Sequence, residues 1–296
     1  MSTTLRRLSV GLGSALAVCV LSACGSDTAD APNIDSSRID PELQAMLPDD
    51  VRESGILEVA SDVPYPPFEF YDTDGKTVVG LDPDLGKAIG DLLGLELRFN
   101  AVTYDTMIPS LASGKYDLAF TGMSDTPDRQ KQLTFVDYLT TGGSFLITGD
   151  SEEQPAALED LCGLSVGAQS GTYIVEFLQT QVAPGCPAAA QLDLSQFTGQ
   201  DDLVNALRSG RVDVAVIPSP SAGYLVETTG DEFDVSMSLD VGLVGIAFPR
   251  EDAQLAAAFQ AALQHLMDDG TYAEILDSYG LGDNVLTEAT IDAGSV

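Results

Sequence analysis

The sequence predicts an α/β protein of two lobes around one cleft, with the chain crossing between the lobes twice. Three observations lead there. Strand-like and helix-like segments alternate from about residue 55 onward, which points to parallel sheets covered by helices. Leu111–Phe120 (LASGKYDLAF) and Leu207–Val216 (LRSGRVDVAV) match at five of ten positions with an offset of 96 residues, as two lobes sharing a helix–turn–strand unit would. The C-terminal segment after Val241 adds a strand and helices but is too short for a third lobe, so it must return to the first.

The elements follow in order. Ile56–Ala60 is a short apolar strand, and Asp84–Leu93 has helical spacing closed by Gly94. Leu95–Val102 reads as a strand, Thr106–Ser113 as a helix ended by Gly114, and Asp117–Phe120 as a strand. The same grammar restarts after Cys162: strand Leu164–Ala168, helices Tyr173–Gln181 and Asp201–Ser209, strand Val212–Ile217. Val241–Phe248 is an apolar strand, Asp252–Met267 an Ala-rich amphipathic helix, and Thr271–Tyr279 a last helix before Gly280.

Ahead of this body, Arg6 and Arg7 precede an uncharged 13-residue run, Leu8–Val20, too short to span a bilayer. The run closes on Leu21-Ser22-Ala23-Cys24, which resembles a bacterial lipobox. Residues 1–23 are therefore expected to be a lipoprotein signal peptide and Cys24 the lipidated N-terminus. Residues 24–48, polar and without periodicity, are expected to be a flexible tether. The body is then extracytoplasmic and held at the membrane by lipid. Cys162 and Cys186 remain as an even pair in an oxidising compartment, and a disulfide between them is expected over two separate buried thiols.

Charge narrows the function. The 296 residues carry 13 Lys+Arg against 46 Asp+Glu, a formal net charge of −33. Nucleic-acid binding is excluded, because phosphates need basic partners. The acidity is read as a solubilising surface, and it favours zwitterionic or cationic ligands over anionic ones. The lone histidine, His265, sits among leucines in the long C-terminal helix and is read as structural. It leaves no multi-histidine metal site. Asp72-Thr73-Asp74-Gly75 lacks the later ligands of a calcium loop and reads as a hairpin turn. No metal, cofactor or catalytic group is expected.

A set of ordered stretches resembles the family 3 extracellular solute-binding proteins of ABC importers, the polar amino-acid class, over roughly residues 50–285. They are Ala60–Phe70 (ASDVPYPPFEF), Gly80–Leu85 (GLDPDL), Tyr104–Ala112 (YDTMIPSLA), Gly114–Leu118 (GKYDL), Thr126–Arg129 (TPDR) and Phe135–Tyr138 (FVDY). Val166–Thr172 (VGAQSGT), Ser209–Asp213 (SGRVD), Gly245–Phe248 (GIAF) and Asp269–Tyr272 (DGTY) continue the series. The resemblance implies a type II periplasmic-binding-protein-like clamshell: lobe 1 over 49–142 and 241–285, lobe 2 over 143–240, and a C-terminal tail over 286–296. It implies a monomer that captures a small zwitterionic ligand by hinge closure and delivers it to a membrane ABC permease.

The resemblance also assigns residues. Arg129 matches the arginine that grips the ligand carboxylate, a planar bidentate pairing. Ser124 matches a ligand-facing hydroxyl, and Thr121 and Gly122 match backbone or side-chain contacts. Tyr65 and Tyr104 match two aromatic walls, and Asp62 a position that reads an amino group or side chain. From lobe 2, Gln169, Thr172 and Tyr173 match the loop that closes over the ligand. Phe68 and Phe70 are assigned to core. One departure stands out: the family commonly has an amine-binding Asp where this chain has Pro218, so an N-substituted, cyclic or betaine-like zwitterion competes with an ordinary amino acid. An enzyme on the same fold, similar to the cyclohexadienyl dehydratases, is the alternative. It is disfavoured because no histidine lies near the cleft motifs and nothing else marks a general acid.

Overall fold

The structure, a computed structural model, describes residues 34–239 and 242–295. The expected signal peptide, Cys24 and the first part of the tether lie outside the described residues. No helix among the described residues is long and apolar enough to cross a membrane.

Two sheets organise the body. The first runs Thr290–Ile291, Leu133–Thr141, Gly242–Pro249, Leu118–Ala119, Ile56–Ser61, Glu96–Ala101 across its width. The second runs Phe233–Ser238, Gly143–Thr148, Val214–Pro218, Ser165–Gln169, Asp193–Phe197. In each, the strands followed by helices pair in parallel, as the alternation predicts: Ile56–Ser61 with Glu96–Ala101 and Leu118–Ala119, and Ser165–Gln169 with Val214–Pro218 and Asp193–Phe197. Neither sheet is wholly parallel, however. The strands that carry the chain from one sheet to the other run antiparallel to their neighbours, because they enter each sheet from the opposite lobe. The two crossings lie side by side: Thr141 faces Gly242 on one sheet and Ser144 faces Ser238 on the other.

Local chemistry sets the helix ends. Leu81–Leu93 stops at Gly94, whose φ of 71° is the left-handed conformation that glycine adopts without a Cβ clash. The Ala-rich helix spans Ala253–Asp269 and buries Leu255, Phe259, Leu263 and Leu266 on one face against the first sheet. His265 lies on its exposed outer side, 4.0 Å from Asp269, and not among the buried leucines. One helix that the sequence conceals is Ser219–Thr229. Pro218-Ser219-Pro220 looks like a breaker, but proline is tolerated in a helix's first turn, where its missing N–H has no partner to lose. Asp72–Gly75 forms the expected turn of a small hairpin between Phe70–Tyr71 and Val78–Val79.

Both expected chain ends need correction. Residues 34–48, read as tether, dock on the first lobe. Asp40 caps the short helix Pro41–Gln44 by accepting from the N–H of Glu42 at 2.8 Å, and its own N–H donates to the Leu92 carbonyl at 2.9 Å. Leu47 is 1% exposed, and Leu43 packs on the same core, so apolar anchoring outweighs the polar composition. The expected tail also joins the fold. Thr290–Ile291 pairs antiparallel with Leu133–Thr141, and the Thr290 hydroxyl donates to buried Asp137 at 2.8 Å. The Gly294 N–H donates to buried Asp125 at 2.7 Å. These carboxylates need donors, and the C-terminal residues supply them.

Cys162 and Cys186 are joined by a disulfide that ties the start of Ser165–Gln169 to the turn after the second lobe's first helix.

Candidate functional site

The first lobe's contribution begins where strand Ile56–Ser61 ends. The loop from Asp62 folds back on itself: the Tyr65 N–H donates to the Glu69 carbonyl at 2.6 Å, and the Glu69 N–H returns to Tyr65 at 3.2 Å. The Tyr65 ring stacks on Phe68, centroids 5.0 Å apart. Phe68 is core as expected, whereas Phe70 is half-buried and meets Tyr224 of the second lobe's helix at 6.4 Å.

Arg129 follows the turn from Thr126, whose hydroxyl accepts its N–H at 3.3 Å. Its guanidinium stands 5.7 Å from the centroid of the Tyr104 ring, so Tyr104 forms a wall of the arginine's own niche. Nη1 donates to the Ser124 carbonyl at 2.8 Å, and Nη2 donates across the cleft to the Gly171 carbonyl at 3.0 Å. Gly171 has a φ of 78°, and a Cβ there would lie 2.9 Å from the Asp105 Cα, so glycine permits this close approach.

A second bridge joins the lobes. Gln169, at the end of Ser165–Gln169, donates through Nε2 to Asp62 Oδ2 and to the Thr198 carbonyl. Asp62 is 6% exposed, and burial pushes its carboxyl up to about 7, with the Gln169 bond acting against that rise. The Thr172 hydroxyl donates to the Gln169 carbonyl at 2.7 Å and so braces this loop.

Thr121 and Gly122 behave differently from expectation. Thr121 is fully buried; its hydroxyl donates to Glu69 and accepts the Asp62 N–H at 3.0 Å. The Gly122 N–H lies 3.1 Å from both Asp82 Oδ2 and the Tyr138 oxygen, and the Tyr138 hydroxyl donates to Asp82 Oδ1 at 2.8 Å. Both polar groups are thus turned inward to a buried Glu69–Asp82–Tyr138 cluster, because two carboxyls sealed from water need every donor nearby. Burial pushes Glu69 well above the usual carboxylate range, with Asp82 adding to the rise, so the pair holds a proton. Sequence reasoning missed this cluster. Glu69 and Asp82 stand in recognisable motifs, but nothing local marks them as buried.

Beside Arg129, on the crossover side, lies a cavity of about 490 Å³. Gly122 and Ser124 reach it from the first lobe, Tyr173 and Pro218 from the second. The crossings themselves contribute Thr141–Gly143, Ser238, Leu239 and Gly242. The expected residues therefore divide into three groups. Asp62, Tyr104, Arg129, Gln169 and Thr172 make or brace the lobe–lobe contact, Gly122, Ser124 and Tyr173 border the cavity, and Tyr65 and Thr121 are buried within the first lobe.

Comparison with known proteins agrees with this architecture. The family described as bacterial extracellular solute-binding proteins, family 3, matches residues 57–282. The arginine-binding protein ArgT of Corynebacterium glutamicum is 31% identical over 255 residues, covering 85% of this chain and 83% of that protein. The lysine/arginine/ornithine-binding periplasmic protein of Escherichia coli is 30% identical over 243 residues, covering 79% and 89%. Among solved structures, a mutant of ArgBP from T. maritima superposes with a TM-score of 0.71 at 30% identity, covering 78% of this chain and 98% of that one. An ancestral amino-acid-binding protein described as a precursor of cyclohexadienyl dehydratase has a TM-score of 0.69 at 29% identity, with the same coverage. A two-lobe α/β body with paired crossings, matched to that family over most of its length, places this chain among the family 3 bacterial extracellular solute-binding proteins.

Proposed function

We propose that this chain is a monomeric, lipid-anchored capture protein, held outside the cytoplasm through Cys24, that closes on a small amino-acid zwitterion and presents it to an ABC permease. The observation that carries the reading is Arg129: its guanidinium belongs to the first lobe and already bonds the Gly171 carbonyl of the second. A ligand carboxylate at this point exchanges a neutral acceptor for a charged, bidentate one, and it does so only when both lobes are near. The ligand thereby shifts the population toward the closed state. Asp62–Gln169 is a second contact between the lobes.

Calorimetry of the purified protein against the twenty amino acids and a panel of betaines tests the capture role. Binding at micromolar Kd or tighter is expected for at least one, and silence across the panel defeats the proposal. Labelled fatty acid should enter the wild type and not Cys24→Ser.

Asp62 also gives the enzyme alternative a specific footing, since a carboxyl that keeps its proton to about pH 7 beside a cleft is a candidate general acid. Incubation with arogenate or prephenate separates the readings: the capture role expects the substrate to be recovered unchanged.

A further inference from the structure

We infer that the crossover-side cavity houses the body of the ligand, and that the ligand is an amino-acid carboxylate with an uncharged, apolar side chain. This rests on the reading that Arg129 takes the carboxylate.

The cavity adjoins Arg129 through Ser124, whose carbonyl accepts from Nη1 and whose residue borders the opening. A carboxylate set against the guanidinium therefore has the cavity next to it. At about 490 Å³ it lies within the range of small-ligand sites, roughly 300–1,000 Å³. Its walls are Leu158, Ile174, Phe177, Met237, Leu239 and Leu243, all half-buried. Five of these, all but Leu243, pack on the second lobe's core from behind, so their inner faces are covered and their cavity faces are not. None of the lining residues is ionisable except Tyr173, and the Pro218 that enters it offers neither charge nor N–H. An apolar group entering this space removes several aliphatic faces from water. A side-chain guanidinium or ammonium placed among these walls would have no lining carboxylate to pair with, which is strongly unfavourable. The buried acids of this region do not line the cavity and are already engaged: Asp62 with Gln169, Asp82 with Tyr138 and the Gly122 N–H, and Asp125 with the Gly294 N–H. The relatives named for arginine set the competing expectation.

The test is titration calorimetry of the full chain with leucine, methionine and phenylalanine against arginine, lysine and glutamate. The best apolar amino acid is expected to bind at least tenfold more tightly than arginine. Ser238→Leu, at an exposed position on the cavity rim, is expected to weaken the bulkiest apolar ligand about tenfold while the melting temperature holds; Phe177→Ala is expected to weaken it as well. Arginine binding tighter than every apolar amino acid, with the loss concentrated in Asp62→Asn, would overturn the cavity assignment and leave the capture role standing. Absence of binding by any of the six, together with silence from the remaining amino acids and betaines, would overturn both.

Discussion

Arg129→Ala is the most informative single change. The guanidinium makes two hydrogen bonds to carbonyls, to Ser124 at 2.8 Å and to Gly171 at 3.0 Å, and stands over Tyr104. On the proposed reading, its fork faces the ligand carboxylate in a half-buried niche. Hydrogen bonds to a charged partner contribute about 1.5–3 kcal/mol each. Two of them lost together, with the ligand carboxylate left unpaired on closure, amount to about 4 kcal/mol, or roughly a thousandfold in Kd. Arg129→Lys keeps the charge but not the fork and should lose about ten- to a hundredfold. Calorimetry at fixed salt reads both, and circular dichroism verifies that the variants fold. A Kd for Arg129→Ala within threefold of wild type, in a folded protein, would falsify the assignment of Arg129 as the carboxylate anchor.

The remaining predictions concern stability. Breaking Cys162–Cys186 by a double alanine substitution opens a loop of sequence separation 24 and should destabilise the second lobe by about 3 kcal/mol, measured by urea denaturation; an unchanged midpoint would refute it. Asp62 has a folded value of about 7, above its unfolded value of about 3.9, so its contribution is fully present below about pH 4 and is lost as pH rises through about 7. Asp62→Asn should flatten the fall in melting temperature over that window by a few degrees, and an unaltered slope would count against it. Leu47→Ala should cost about 2–3 kcal/mol by the same denaturation assay, because Leu47 is docked rather than tethered; a loss below about 0.5 kcal/mol would restore the tether.

The parts of the fold legible in sequence were those written locally. Gly94, Gly114 and Gly270 end helices where the periodicity stops, and the Ala-rich stretch after Asp252 is a helix because Leu255, Phe259, Leu263 and Leu266 share one face. The parts that stayed hidden depend on distance along the chain. Thr121 looks like a ligand hydroxyl until Glu69, 52 residues away, accepts its hydrogen bond. Residues 34–48 look like a linker because Ile34, Ile39, Leu43, Met46 and Leu47 are scattered without period among acids and other polar residues. Arg129 stands over Tyr104, and Gln169, at a strand end, bonds Asp62; their motifs mark them in the sequence, but these partners do not follow from it. The cavity walls escaped notice because Ile174, Phe177 and Met237 are indistinguishable in sequence from ordinary core.

The pairing of the two crossings bears on how a capture protein of this kind grades its cargo. Thr141 faces Gly242 and Ser144 faces Ser238, so the two connections bend as one ribbon rather than as independent joints. Thr141, Gly142, Ser238 and Gly242 of that ribbon also line the cavity. On the proposed hinge closure, whatever fills the cavity presses on the axle of that motion, where a small displacement becomes a large one at the far lips. Closure angle then becomes a gauge of cargo length: a body that fits lets the lips meet, and one a methylene too long holds them ajar. A permease that accepts only the shut form would reject such a cargo without ever touching it.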